Sequence, residues 1–182
     1  MMKQIIGKTL PELVIMVGPS GAGKSKIAAR TGYPIVSTDT IRMNLFGFGP
    51  DGKIAAEAYT PDGLHDTFAA AKFIVEGYLR GGQSVVYDAT NLTRVDRVSF
   101  LRWLEFGGGY ASNTQARVVY YIVDRSLEAK LNSYNDNIEA GIPVPHTTDE
   151  IIIRHHTKMI QNVEGALLGD NLGYVEVRDF RS

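Results

Sequence analysis

Residues 18–25 read GPSGAGKS and match the pattern G-x-x-x-x-G-K-[ST] at every fixed position. An apolar run at 13–17 precedes this segment, and a stretch with helical character follows it. A strand, a glycine-rich loop and a helix in this order are the setting in which backbone N–H groups surround nucleotide phosphates. A chance glycine-rich turn is the alternative, and it does not explain why all three elements are in register. The segment therefore predicts an α/β fold built around a phosphate-binding loop.

The residue types of this loop each suit a nucleotide triphosphate bound with Mg²⁺. Gly18 and Gly23 permit backbone conformations and close approaches that a Cβ would obstruct. Lys24 is predicted to neutralise the β- and γ-phosphates, and the Ser25 hydroxyl is predicted to ligate Mg²⁺. ATP is the expected donor, with GTP left open. The other predicted nucleotide contacts are Pro19, Ser20, Gly21, Ala22 and Lys26.

Short β-branched runs alternate with longer helical stretches along the whole sequence. Strands are predicted at 13–17, 35–37, 84–87, 117–123 and 174–177, and helices at 24–31, 64–80, 94–106, 127–140 and 148–163. The pattern indicates an α/β P-loop NTPase three-layer sandwich with a mostly parallel sheet of about five strands. We expect one domain over 1–182, with a mobile loop or small insertion at 46–63 near the acceptor site.

Composition limits the partners and the chemistry. The 182 residues carry a formal net charge of -1, so nucleic acid would need a local basic cleft to bind. There are no cysteines, which excludes disulfides, thiolate catalysis and Cys-ligated zinc and suits the cytoplasm. We expect no signal peptide and no membrane-spanning segment, because the apolar runs are short. The oligomeric state is left open.

Polar residues follow the second predicted strand, where an open α/β sheet places its ligand crevice. Asp39 is in position to accept the proton of an attacking hydroxyl, or alternatively to cap the next helix. Arg42 lies one helical turn later, on the same face, and could hold an anionic acceptor or steady Asp39.

A second acidic residue, Asp88, ends the third predicted strand. P-loop proteins commonly place a carboxylate near Mg²⁺ at this point, but Asp88 could also contact the acceptor or orient Lys24. The four histidines lack metal-ligand spacing. For His155 and His156, which are adjacent on a predicted helix, we expect a surface or capping role, with contact of one of them with the substrate as the alternative.

Taken together, GPSGAGKS, STDTIR followed by LFG, VVYDATNLTRVDR and GIPVPHTTDEIIIRHH resemble the polynucleotide 5′-hydroxyl kinase family of P-loop kinases. This family is found in phage and bacterial end-healing enzymes, and the resemblance extends over about 13–163. It implies that Asp39 is the general base and that Arg42 engages either the acceptor's phosphate or the network between the base and the substrate. It also implies that Asp88, Asn91 and Arg97 lie on the acceptor side.

The same family carries a helical lid with arginines that reach the transferred phosphate. By resemblance the lid lies at 125–142, where Arg125 and Lys130 are basic and three asparagines stand in the middle. Arg125 is assigned to the nucleotide and Lys130 to the substrate. Either residue could replace the lid arginines, Arg154 from the next helix could do so, or the acceptor differs.

Three functions follow from these expectations. The first is an ATP-dependent kinase acting on a nucleic-acid hydroxyl, either a 5′ end or a hydroxymethylated base in DNA. The second is a kinase of a nucleoside, sugar or antibiotic. The third is a non-catalytic NTP-binding module that switches a partner.

Overall fold

The structure is a computed structural model that describes residues 10–106, 116–142, 144 and 147–182. Its centre is a five-stranded sheet in the order β2-β3-β1-β4-β5, with every neighbouring pair parallel. The strands are β1 (Glu12–Val17), β2 (Ile35–Ser37), β3 (Val85–Asp88), β4 (Arg117–Ile122) and β5 (Val175–Asp179). The predicted α/β sheet of about five strands is confirmed.

Strand β1 is buried along its whole length because helices cover both faces of the sheet. Leu13 and Ile15 join one apolar cluster, which also contains side chains of the longer helices. Val14 and Met16 point the other way and pack with Ala28 of the first helix. This alternation is the pleat of a strand between two layers, and it explains the uninterrupted apolar run in the sequence.

In the part of the chain that the structure describes, six α-helices connect and flank the strands. They are α1 (Lys24–Ala29), α2 (Thr38–Phe46), α3 (Pro61–Arg80), α4 (Arg94–Phe106), α5 (Leu127–Glu139) and α6 (Asp149–Leu167). Helix α3 begins three residues before its predicted start, because Thr60 caps it by accepting from the Gly63 N–H and Pro61 occupies the first turn. The glycines 107–109, which were expected to end α4, lie outside the described residues.

The segment between α2 and α3, where a mobile loop or a small insertion was expected, has regular local structure. Residues 47–55, which we call the flap, form a small hairpin in which Phe48 pairs with Ile54 in antiparallel fashion. The Gly49 N–H donates to the Lys53 carbonyl at 2.8 Å. A 3-10 turn, Ala56–Tyr59, then leads into α3. The flap therefore holds its side chains on a defined framework.

None of the helices that the structure describes is both long enough and apolar enough to cross a bilayer.

Candidate functional site

A cleft of about 840 Å³ lies at the carboxyl edge of the sheet. It is lined by the 18–25 loop, the first turns of α2, the flap, the end of β3, and parts of α5 and α6. Parallel strands bring their carboxyl ends to one edge, so residues distant in sequence meet there. The cleft falls within the size range of small-molecule sites in proteins.

The loop is shaped by glycines that no other residue could replace without strain. A Cβ on Gly18 would lie 2.1 Å from the Val123 carbonyl oxygen, and the Gly18 N–H donates to the Thr90 carbonyl at 2.9 Å. Gly21 and Gly23 have φ values of 75° and 95°, which L side chains rarely adopt. The loop is therefore held against β4 and β3 in the conformation that suits phosphate binding.

Lys24 points back into this loop, where its Nζ donates to the Pro19 carbonyl at 3.0 Å. Burial lowers the pKa of Lys24, and the charges of Asp88, Asp39 and Asp124 oppose that shift. A cation that loses hydration in this way is stabilised by added negative charge nearby. Triphosphate oxygens bound in the loop would supply that charge.

The Ser25 hydroxyl and the Asp88 carboxylate meet at the start of α1. Ser25 Oγ lies 3.4 Å from Asp88 Oδ2, and Asp88 is only 7% exposed. Mg²⁺ prefers oxygen donors, takes few of them from protein and completes its shell with water and substrate phosphate. The two side chains fit such a site. In the described parts of the chain, His, Asp and Glu form no cluster of three or more that could hold a metal without substrate.

Asp39 and Arg42 form an ion pair at the opposite wall of the cleft. Arg42 Nη1 donates to Asp39 Oδ1 at 2.8 Å, as their spacing of three residues predicts. Ser37, and not Asp39, caps α2 by accepting from the Thr40 N–H. Since the cap is supplied by another residue, Asp39 stands in the first turn with its carboxylate at the cleft, 38% exposed.

Aromatic rings surround the Arg42 guanidinium, whose Cζ lies 5.4 Å from the ring centre of Tyr59 and 5.8 Å from that of Phe68. Its Nε is buried and has no hydrogen-bond partner among the described residues. Arg42 is therefore stacked and partly desolvated, which strengthens its attraction for an anion.

Arg97 is not in the cleft, contrary to the expectation that it shapes the acceptor side. Its side chain is 0% exposed and makes two 2.7 Å hydrogen bonds to the Asp170 carboxylate. It also donates to the carbonyls of Asn91 and Leu92. Arg97 thus joins α4 to the turn before β5 as a buried structural cation.

Two further predicted substrate contacts are also turned away from the cleft. Asn91 is 4% exposed and donates to the Met16 carbonyl at 2.8 Å, which fastens the chain after β3 to β1. Lys130 is fully buried, with Nζ 2.6 Å from Asp124 Oδ1 and 2.6 Å from His156 Nδ1. Both are committed to partners within the protein.

Two arginines, and not Lys130, place positive charge on the side of the cleft formed by α5 and α6. Arg125 lines the cleft and donates from Nε to the Gly21 carbonyl at 2.8 Å. Arg154, which projects from α6, lines the cleft as well. Helix α5 occupies the predicted lid segment. Pro145 and His146, from the segment used for the family resemblance, lie outside the described residues.

His155 was expected to serve as a surface or capping residue, but it contacts the phosphate-binding loop. Its Nδ1 lies 3.0 Å from Ser20 Oγ, across 135 residues of sequence. Burial, reinforced by the charges of Arg154, Lys24 and Lys158, lowers the pKa of His155 to about 4. The imidazole is therefore neutral near pH 7. No local sequence pattern points to this contact, because Ser20 and His155 are brought together by the packing of α6.

Comparison with known proteins agrees with this geometry. A family model described as AAA domain, AAA_33, matches residues 13–130. No curated protein sequence matches the chain. Among solved structures, a candidate kinase from Chloroflexus aurantiacus superposes with a TM-score of 0.63 and 14% identity, covering 94% of this chain and 89% of that one.

Two other solved structures have known contexts. A chain of the Pnkp1/Rnl/Hen1 RNA repair complex gives a TM-score of 0.66 and 20% identity over 90% of this chain, but over only 48% of its own length. This chain thus spans about half of that protein. A gluconokinase from Sinorhizobium meliloti gives 0.51 and 17%, over 93% and 83% of the two chains. The fold is that of the P-loop kinases.

Proposed function

This chain belongs to the AAA_33 family of AAA domains, and on that premise we propose that it is an ATP-dependent phosphotransferase acting on a hydroxyl of a nucleic acid. One observation carries the proposal: the Asp39–Arg42 pair and the Lys24, Ser25 and Asp88 group open into the same cleft. A phosphate-binding loop alone would support only nucleotide binding. The carboxylate that faces this loop supplies a proton acceptor for an attacking hydroxyl, and the cation beside it supplies a positive charge for an anionic group of the acceptor.

The residues divide the reaction between two walls of the cleft. Asp39 accepts the proton of the attacking hydroxyl, and Arg42 holds an anionic group of the acceptor near it. Lys24 and the N–H groups of the loop stabilise the charge that develops on the transferred phosphoryl oxygens. Arg125 and Arg154 extend this positive charge on the side of α5 and α6. Mg²⁺, held by Ser25 and Asp88 with the phosphates, would neutralise part of the same charge when bound.

The charge of the cleft supports a polyanionic acceptor. Its described lining includes five cationic side chains and two carboxylates, whereas the whole chain has a net charge of -1. Positive charge is thus concentrated at the site that a nucleic acid would approach. The cations are Lys24, Lys26, Arg42, Arg125 and Arg154.

The acceptor is tested by transfer of label from γ-labelled ATP with Mg²⁺. The panel contains 5′-hydroxyl DNA and RNA, duplex DNA with hydroxymethylated bases, and separate nucleosides and sugars. We expect label on a 5′-hydroxyl end or on the modified base. Asp39→Asn should abolish transfer with nearly unchanged ATP binding, and Asp66→Asn, an exposed position on α3 outside the cleft, is the matched control.

Each of the other outcomes would contradict part of this proposal. Label on nucleosides or sugars alone would make the protein a small-molecule kinase, which the 840 Å³ cleft could also accommodate. ATP binding without label on any acceptor would indicate a nucleotide-binding module. A wild-type rate in Asp39→Asn would remove Asp39 from the reaction.

A further inference from the structure

Two large aromatic side chains are exposed to solvent on the wall of the cleft that carries Asp39 and Arg42, which we call the acceptor wall. Phe48, on the flap, is 59% exposed, and Tyr59, at the end of the 3-10 turn, is 46% exposed. Both line the cleft. Single exposed apolar residues are ordinary on protein surfaces, but two rings that line the same cleft as the Asp39–Arg42 pair form a defined local environment.

These rings belong to the acceptor side of the cleft. Tyr59 already stacks on Arg42, which is paired with Asp39. The 3-10 turn that carries Tyr59 packs on α2, the helix of both residues. Arg125, by contrast, lies on the nucleotide side of the cleft, against the phosphate-binding loop and in contact with Gly21. A ring bound between the flap and the 3-10 turn would therefore belong to the molecule that receives the phosphoryl group.

The framework beneath the rings is firmly packed. Ile54, which pairs with Phe48, is 4% exposed, and Ala58, next to Tyr59, is 0% exposed. A Cβ on Gly63 would lie 2.1 Å from the Glu57 carbonyl oxygen, so α3 and the 3-10 turn are in close contact. The backbone that carries Phe48 and Tyr59 is therefore ordered before a ligand binds, which lowers the conformational entropy lost on binding.

We propose that Phe48 and Tyr59 form a subsite for the nucleobase of the acceptor, which stacks on their rings while Arg42 binds an adjacent phosphate. The inference rests on the proposed function and adds the recognised group, a planar base. Stacking on aromatic side chains tolerates any base sequence, since every base has a π-face. The base could belong to the nucleotide at a 5′ end or to a modified base turned out of a duplex.

Binding tests the subsite without requiring transfer. Thymidine 3′-monophosphate and its analogue lacking the base are titrated by calorimetry into the full chain, saturated with Mg²⁺ and a non-hydrolysable ATP analogue. We expect the nucleotide to bind about 10-fold more tightly than the analogue, within the ~5- to 150-fold range given by stacking on one base. Phe48→Leu should remove most of that difference and leave the analogue's affinity unchanged.

The matched control is Phe73→Leu, since Phe73 is 66% exposed on α3 but lies outside the cleft. It should leave both affinities unchanged. Equal binding of nucleotide and analogue to the wild-type chain, or an unchanged preference in Phe48→Leu, would overturn the subsite. Base-dependent binding that is lost in Phe48→Leu would support it even if no acceptor is phosphorylated, in which case the proposed function alone fails.

The two sources of the base are separated by substrates. A 5′-hydroxyl oligonucleotide is compared with one whose first residue lacks its base, and a hydroxymethylated duplex with an unmodified one. A KM at least about 5-fold higher for the oligonucleotide with the abasic end would place the terminal base on Phe48. Tighter binding of the modified duplex, lost in Phe48→Leu, would assign a turned-out base. Both assignments would be contradicted by two results found together. The first is an equal KM for oligonucleotides with and without the terminal base, and the second is equal binding of the two duplexes.

Discussion

The Ser25 hydroxyl lies 3.4 Å from the Asp88 carboxylate, so the first turn of α1 and the end of β3 each place one side-chain oxygen at the same point. The two residues are 63 positions apart and meet because β3 pairs directly with β1. This contact connects the phosphate-binding loop to the end of β3, the strand that lies between β1 and β2.

If Ser25 and Asp88 share a Mg²⁺, their substitutions should not be additive. Ser25→Ala and Asp88→Asn should each raise the Mg²⁺ concentration needed for half-maximal transfer, by about 10-fold. The double variant should be little worse than the stronger single variant, since residues in one network are coupled. Titration of activity with Mg²⁺ at saturating ATP checks this. Fully additive effects would show that the two oxygens act independently.

Lys24→Ala should weaken both nucleotide binding and turnover, because Nζ lies in the loop that receives the phosphates. We expect ATP affinity to fall by at least about 10-fold, which corresponds to about 1.4 kcal/mol. Calorimetry with a non-hydrolysable ATP analogue measures it. Lys53→Ala, in the flap outside the cleft lining, should bind the analogue like the wild type. An unchanged affinity in Lys24→Ala would contradict the phosphate role.

Substitution of Arg97 should lower the free energy of unfolding without changing which acceptor the protein selects. Arg97→Met leaves the Asp170 carboxylate buried without its partner, a change that typically costs about 3–5 kcal/mol in the free energy of unfolding. Arg102→Met, at an exposed position on the same helix, should cost little. Denaturant unfolding of both variants measures the difference.

A second substitution separates the charge from the packing. Asp170 has a φ of 56°, so Asn is the suitable replacement because it tolerates this conformation. Arg97→Met with Asp170→Asn should recover part of the stability lost in Arg97→Met. A folded Arg97→Met variant with wild-type stability and a much higher KM for the acceptor would return Arg97 to the substrate site.

The burial of His155 against the phosphate-binding loop should make stability depend on pH in a defined window. The pKa of His155 is lowered from 6.5 to about 4, so the unfolded chain binds more protons than the folded one between these values. The free energy of unfolding should therefore fall as pH drops from about 6.5 to about 4. His155→Gln should remove part of this decline, and His65→Gln, exposed on α3, should not. Denaturant unfolding at several pH values measures it, and an unchanged decline in His155→Gln would contradict it.

The residues that could be predicted from sequence are those whose partners are close in the chain. The loop at 18–25 and the Asp39–Arg42 pair need only a strand end and one helical turn, and α4 occurs over its predicted span, Arg94–Phe106. Alternating periodicity predicted the parallel α/β sheet, the GPSGAGKS motif predicted the phosphate-binding loop, and the kinase assignment came from the family resemblance. Local patterns were therefore sufficient for the fold and for these two parts of the cleft.

The errors concern polar side chains, charged and uncharged, whose partners are distant in the sequence. Arg97 meets Asp170 across 73 positions and Lys130 meets His156 across 26. Sequence spacing does not show whether a cation faces the cleft or is satisfied inside the protein. The contact of His155 with the loop likewise depends on where α6 packs.

Two glycines of α3 should respond to alanine in opposite directions. At Gly63 a Cβ would lie 2.1 Å from the Glu57 carbonyl oxygen, whereas at Gly77 it would meet nothing within 4 Å. Gly77→Ala should stabilise the protein by about 0.5–1 kcal/mol, the usual gain within a helix. Gly63→Ala should destabilise it by about 1–3 kcal/mol, as overpacking does. Thermal unfolding of the two variants compares them, and a stable Gly63→Ala would show that the 3-10 turn shifts easily.

Because all five strands run in one direction, the turns that enter them lie on the side of the sheet opposite the cleft. Gln83 is exposed in one such turn, between α3 and β3. The chain contains no cysteine, so Gln83→Cys would introduce a unique thiol. A dye, bead or sensor chip attached there would leave the cleft facing solution, so single molecules could be watched while they bind nucleotide and acceptor.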